Sequence, residues 1–339
     1  MKPSALLLAA LIAAPVATLG CRPKSVAEAE EKGNVDWLDT NGSPEAVSAM
    51  GRLADTNTRA TEALSARAAY DVNAYIAAWN ATLRGSTWGP VMLRTGLADP
   101  TRAETAASVM TRKDGHLIPF IVDLESALSR LAASSNNGAI SSVLASVGPA
   151  ASVAVQRRLD DSATRGSMCR GIGSPDASAD ARRVLMSVAP QSRDDDACVA
   201  TVLKIATDND AALDWLATKA EPGMLSAAGK SEEFPCVRLV PLWTRVFPAR
   251  SVAVQGTLTV PLENAVKRCA HALDPLLAAS LTKQPMTRSL IVGALDPYGG
   301  ETADLKATCG ALKGIANGGS GTVRARAEEA VNHGCRLTH

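Results

Sequence analysis

The chain has 339 residues, enough for two ordinary domains or one extended repeat array. Hydrophobic residues make up 46% but aromatics only 3%, so alanine, leucine and valine carry the apolar content and helix is favoured over strand. Basic and acidic residues, 35 and 34, leave a net charge of +1, and no polybasic segment is present, so the electrostatic footprint of a nucleic-acid binder is missing.

Residues 1–21 carry one positive charge, Lys2, ahead of an apolar run from Ala5 to Ala14. That run is too short to cross a bilayer, which takes about twenty apolar residues. A charged start, a short apolar stretch and small residues after it form the secretory pattern. A buried N-terminal helix is the competing reading, and nothing amphipathic organises the stretch in its favour. The segment closes on Thr18-Leu19-Gly20-Cys21. This resembles a bacterial lipoprotein signal, in which a small residue precedes a cysteine that becomes diacylated. Gly20 and Cys21 fit that pattern, while Thr18 stands where Leu or Val is commoner and Leu19 is larger than usual. The resemblance implies removal of residues 1–20 and a mature Cys21 carrying three acyl chains, an effectively permanent anchor. Arg22 is not the Asp that marks retention in the inner membrane, so the implied destination is the outer membrane.

Cysteine count supports export by a separate route. Of seven cysteines, the lipid site takes Cys21 and leaves Cys169, Cys198, Cys236, Cys269, Cys309 and Cys335, an even number suited to three disulfides in an oxidising compartment. None of the six forms a Cys-x-x-Cys pair, which argues against a zinc knuckle or a thioredoxin-like motif.

Residues 21–42 are polar and show no sustained apolar face, so they read as a lipid-bearing N-terminus and a tether, with Trp37 and Leu38 able to dock on the body that follows. The folded region, 43–339, opens at Ser43-Pro44-Glu45, an N-cap, a first-turn proline and a first-turn acid in the order a helix start requires. Ala46, Val47, Met50 and Leu53 supply the i, i+3, i+4, i+7 face. Asp55-Thr56-Asn57 ends that helix, and Ala60, Ala63 and Leu64 begin the next. This helix-turn-helix stretch resembles a HEAT repeat at Pro44, Ala46, Val47, Leu53, Asp55, Ala60 and Leu64. The likeness implies an all-α solenoid of helical hairpins, in which no single unit buries its apolar face alone.

Later segments continue the theme. Amphipathic helices are predicted at Leu117–Leu131, Ile140–Val147 and Val153–Leu159, with a turn at Gly148-Pro149. Others follow at Asp176–Val188, Cys198–Ala206 and Asp210–Ala217. A final pair, Leu305–Ala316 and Val323–Val331, is joined by a loop at 317–321. Pro235, Pro241, Pro248, Pro261, Pro275, Pro285 and Pro297 predict short, kinked helices in the C-terminal half. A compact irregular all-α domain is the alternative fold.

Six cysteines allow fifteen connectivities, and helix placement narrows them. Cys309 opens a helix and Cys335 follows the end of the returning partner, so the two are neighbours. Cys236, after Pro235, opens a helix, and Cys269 closes the one beginning at Pro261. Cys169 and Cys198 are then left for each other.

The remaining candidates have ordinary explanations. His333, Cys335 and His339 match no regular metal spacing, and His116 follows a turn, while His271 stands alone. Asp194-Asp195-Asp196, with Asp208 and Asp210, lacks the central glycine of a calcium loop and reads as acids at helix N-termini. Gly171-Ile172-Gly173 and Gly318-Gly319-Ser320-Gly321 fit neither a phosphate loop nor a nucleophile elbow and read as loops. Trp79, Trp88, Trp215 and Trp243 read as core. The expected protein is a non-catalytic envelope lipoprotein that offers a surface to other envelope proteins. It is expected to need no metal or cofactor and to have no nucleic-acid partner. An enzyme, or a helical module binding a small molecule or metal, is the rival.

Overall fold

The computed structural model describes residues 22–111, 115–134, 137–188 and 196–250, with 256–258, 260–262, 264, 265, 268, 269, 310, 313, 314, 316–318, 324, 325, 328, 331 and 332 beyond them. All regular structure among the described residues is helical, so the protein is all-α. The chain divides into two compact units, Met1–Gly89 and Pro90–His339.

The first unit holds α1 (Val26–Glu31), α2 (Val35–Asn41), α3 (Pro44–Leu53), α4 (Thr58–Arg67) and α5 (Val72–Leu83). Each begins on a small polar residue whose side chain accepts a hydrogen bond from a first-turn amide: Ser25, Asn34, Ser43, Asn57 and Asp71 in turn. Such a cap is worth about 1 kcal/mol, which matters for helices too short to persist alone. Ser43 Oγ accepts from the Ala46 amide at 3.2 Å, and Pro44 occupies the first turn. The predicted start of α3 is therefore the observed one. α2 stops at Gly42, whose φ of 62° is left-handed, and a Cβ there would lie 3.1 Å from Arg67 Nη1.

The stretch expected to be a tether is not one. α1 and α2 pack against α3, burying Ala29, Val35 and Leu38. Their apolar residues are too few to show a period, and α3 and α4 supply the surface that holds them.

The second unit continues with α6 (Trp88–Ala98), within which the boundary falls, and α7 (Ala103–Ser108). Then come α8 (Ile121–Arg130), α9 (Gly138–Ser146), α10 (Ser152–Asp160), α11 (Arg165–Ile172), α12 (Ala179–Val188), α13 (Asp196–Asp208), α14 (Asp210–Lys219), α15 (Pro222–Lys230) and α16 (Cys236–Ala249). Its helices stack on the element two places earlier. α7, α9, α11 and α13 form one row, carried on by α15, while α8, α10 and α12 form a second, and α16 stacks on α14. Side chains such as Phe120, Leu124, Leu128, Leu144, Met168 and Leu185 are fully buried in this unit.

Four expectations change in detail. The helix predicted from Leu117 begins as a 3-10 turn, Ile118–Phe120, because Pro119 supplies no amide, and α8 follows. Gly171 and Ile172, expected in a loop, lie in α11 because its row is tightly packed: a Cβ on Gly171 would sit 2.5 Å from the Ser141 carbonyl carbon in α9. The kinked C-terminal helices give way, over 236–249, to one helix running through Pro241 and Pro248. Its lost amide bonds are offset by burial of Leu239, Leu242, Trp243 and Val246. Of the loop expected at 317–321, Asn317 and Gly318 are helical. The final helix pair is described only at isolated positions, which are helical, and residues 1–21 lie outside the described residues.

Candidate functional site

Arginine side chains fasten the stack by reaching back to helix C-termini. The last carbonyls of a helix have no intrahelical partner and sit at the negative end of its dipole. Arg84 donates to the Gly51 carbonyl of α3 at 3.2 Å, Arg130 to Leu97 of α6 at 2.7 Å, and Arg238 to Ala206 of α13 at 3.0 Å. Arg250 reaches Ala217 and Ala220 at 2.7 Å and Leu216 at 3.3 Å, closing the end of α14. Arg268 does the same for α15 through Gly229 at 2.8 Å. Burial pushes the Arg250 guanidinium below its ordinary value, with Glu221 opposing. At the opposite helix pole, Glu104 accepts from the Ala139 amide at 2.6 Å and so caps α9.

A second cluster ties the first unit together. Arg67, nearly buried, donates to Asp39 Oδ1 at 2.9 Å and Asp71 Oδ2 at 3.1 Å, and lies 5.8 Å from the Tyr70 ring centre. Burial opposes charge on both Arg67 and Asp71. The hydrogen bonds outweigh it, holding Arg67 above its ordinary value and Asp71 below.

On α6, α8 and α10 a valine near the start of each helix is exposed to solvent. Val91 is 61% exposed, Val122 71% and Val153 69%, with Ile118 beside Val122 at 49%. One turn further along each helix stands a charge. Arg94 of α6 pairs with Asp123 at 3.3 Å and lies 5.5 Å from the centre of the Phe120 ring. Arg157 of α10 pairs with Glu125 at 2.7 Å. Exposed aliphatic side chains and ion pairs thus stand close together along each of these helices.

Four cysteines form two clips. Cys169 of α11 is bonded to Cys198 of α13 across a Cα separation of 4.9 Å, and Cys236 of α16 to Cys269 across 5.6 Å. Thr201 Oγ1 adds a hydrogen bond to the Cys169 carbonyl at 2.9 Å. Cys21, Cys309 and Cys335 lie outside the described residues, so the expected third pair does too.

The other candidates do not converge among the described residues. His116 is exposed, and His271, His333, His339, Asp194 and Asp195 lie outside the described residues. Asp210 pairs with Arg238 at 2.9 Å. No group of three metal-ligating side chains gathers among the described residues. Trp79 and Trp243 are buried, and Trp88 donates its indole N–H to Asp55 at 3.1 Å, so these three serve the core. A cleft of about 220 Å³ beside α13 and α15 is lined by Asp196, Lys204, Glu233 and Phe234 among others. It is smaller than ordinary small-molecule pockets, roughly 300–1,000 Å³. A larger one, about 420 Å³, lies in the first unit and is lined by Arg22, Pro23, Asn34, Asp36, Trp37, Thr40 and Asn41. No helix among the described residues is by itself long and apolar enough to cross a membrane.

Sequence reasoning missed the exposed valines, because on α8 and α10 they look like members of the core face. The arginine caps were also missed, since their acceptors are backbone atoms about thirty residues away. Comparison with protein-family models, with curated proteins and with solved structures finds no match to the chain.

Proposed function

We propose that the protein is an exported lipoprotein, anchored through Cys21 at a bacterial outer membrane, on its periplasmic face or at the cell surface. In this reading it acts without catalysis, as a HEAT-like scaffold for another envelope protein. The observation that carries the scaffold reading is the exposure of Val91, Val122 and Val153 near the starts of α6, α8 and α10, with Ile118 exposed in the turn before α8. Taken as one surface, these side chains would form an apolar centre with a polar rim, the usual anatomy of a protein interface. Burying one such aliphatic side chain is worth about 1.5–3 kcal/mol, so the four residues could supply the centre of a specific contact. Anchoring would confine the search for a partner to the membrane plane. The two disulfides agree with an oxidising compartment outside the cytoplasm.

The test is photo-cross-linking in intact cells, with a photoreactive residue placed at Val122 or Val153 and at the exposed control Lys204 of α13. The scaffold reading expects one and the same cross-linked envelope protein from both valine positions, absent from the control and lost when Val91 is changed to Glu. No product from either valine position, or the same product from Lys204, would contradict it.

A further inference from the structure

The folded body begins immediately after the proposed anchor. Pro23 is buried, α1 starts at Val26, and α1 and α2 pack on α3. One trans peptide separates the Cα atoms of Cys21 and Arg22, about 3.8 Å. If the acyl chains on Cys21 lie in the hydrocarbon, Arg22 cannot leave the interfacial layer, which is roughly 5–8 Å deep on each side of a bilayer. Covalent geometry thus keeps the surface around Arg22 within reach of the headgroup layer.

That surface has interfacial chemistry. It is the cleft of about 420 Å³ whose wall includes Trp37 of α2, a half-buried ring. The Trp37 indole N–H has no acceptor among the described residues. Other polar atoms of the wall have local partners: Asn34 Oδ1 accepts from the Trp37 amide, Thr40 donates to the Asp36 carbonyl, Asn41 Oδ1 accepts from the Ser43 amide, and the Asp36 carboxylate is paired with Arg59. Among the groups left over are donors, the Trp37 indole and the side-chain amides of Asn34 and Asn41, and the exposed cation Arg22, with exposed Lys24 two residues along the chain. An amphipathic indole favours the headgroup level of a membrane, and cations beside it favour phosphate.

We infer that the α2 face of the first unit lies in the phospholipid headgroup layer, with the Trp37 ring among the glycerol and phosphate groups and Arg22 against lipid phosphate. The inference rests on acylation of Cys21, and it commits this face to lipid rather than to a protein partner.

The experiment uses the full-length protein purified from its native membrane and reconstituted into phosphatidylethanolamine–phosphatidylcholine vesicles, with and without brominated acyl chains. Tryptophan emission is read for the wild type and for Trp37→Phe, and the N-terminal peptide of each sample is weighed. Circular dichroism verifies that Trp37→Phe is folded. The expected result is a loss of emission in brominated vesicles that Trp37→Phe abolishes. An acylated protein that shows no quenching, or quenching unchanged in Trp37→Phe, would overturn the headgroup placement and leave the anchor standing. An unacylated Cys21 would overturn both.

Discussion

Gly171→Ala tests whether close packing of α9 on α11 governs the second unit. In an isolated helix, alanine is favoured over glycine by about 1 kcal/mol. Here the new Cβ would lie 2.5 Å from the Ser141 carbonyl carbon and 2.6 Å from its oxygen. Those atoms are backbone and cannot rotate aside, so α9 and α11 must separate. Overpacking of this kind costs roughly 1–3 kcal/mol, and the net effect is destabilising. Gly223→Ala is the matched control: it lies in the first turn of α15, and a Cβ added there would meet nothing within 4 Å, so only the propensity gain remains. Urea unfolding followed by circular dichroism should show a lower midpoint for Gly171→Ala and an unchanged or higher one for Gly223→Ala. Ser141→Gly should not rescue Gly171→Ala, because the nearest obstruction is main chain. Equal stabilisation by both alanines, or full rescue by Ser141→Gly, would refute the packing argument.

Other expectations follow from the same geometry. Replacing Cys169 and Cys198 together by Ser opens a loop of 29 residues, which the chain-entropy relation values at about 3.5 kcal/mol. An unfolding midpoint unmoved relative to the oxidised wild type would contradict it. Arg250→Met leaves the Leu216, Ala217 and Ala220 carbonyls without their guanidinium and should cost about 1–3 kcal/mol; amide exchange at the end of α14 would report the loss. Arg67→Met removes the cation from Asp71 but leaves its two hydrogen bonds from Asn73, and should cost about 1–3 kcal/mol. Because the folded state holds Asp71 below its ordinary value, its contribution is complete above the unfolded value of about 3.9. It is lost as pH falls through the lower folded value. Asp71→Asn should therefore flatten the acid side of the stability–pH curve, and an unchanged acid limb would speak against the cluster.

How far the sequence speaks depends on whether a feature is local. The start of α3 is legible because Ser43, Pro44 and the spacing of Ala46, Val47 and Met50 lie within one short window. The pairs Cys169–Cys198 and Cys236–Cys269 could be drawn because each cysteine sits on or beside a recognisable helix. α1 and α2 stayed hidden because Ala29, Val35 and Leu38 become a face only once α3 is beside them. α11 was obscured by Gly171, which answers to Ser141 thirty residues away rather than to helix propensity. α16 defied its prolines because burial of Leu239, Leu242 and Trp243 outweighs two missing amides. The exposed valines and the cleft at Trp37 depend on which side of a helix is left uncovered, and that is decided by neighbours distant in sequence.

Mass spectrometry of the protein from its native membrane, intact and as unreduced peptides, tests the central claim most directly. The account predicts an N-terminal peptide beginning at a triacylated Cys21, together with linked peptides joining Cys169 to Cys198 and Cys236 to Cys269. An N-terminal peptide that still carries residues before Cys21, or that bears no lipid, would contradict the anchored envelope protein proposed, and free thiols at the four paired positions would contradict its oxidised fold.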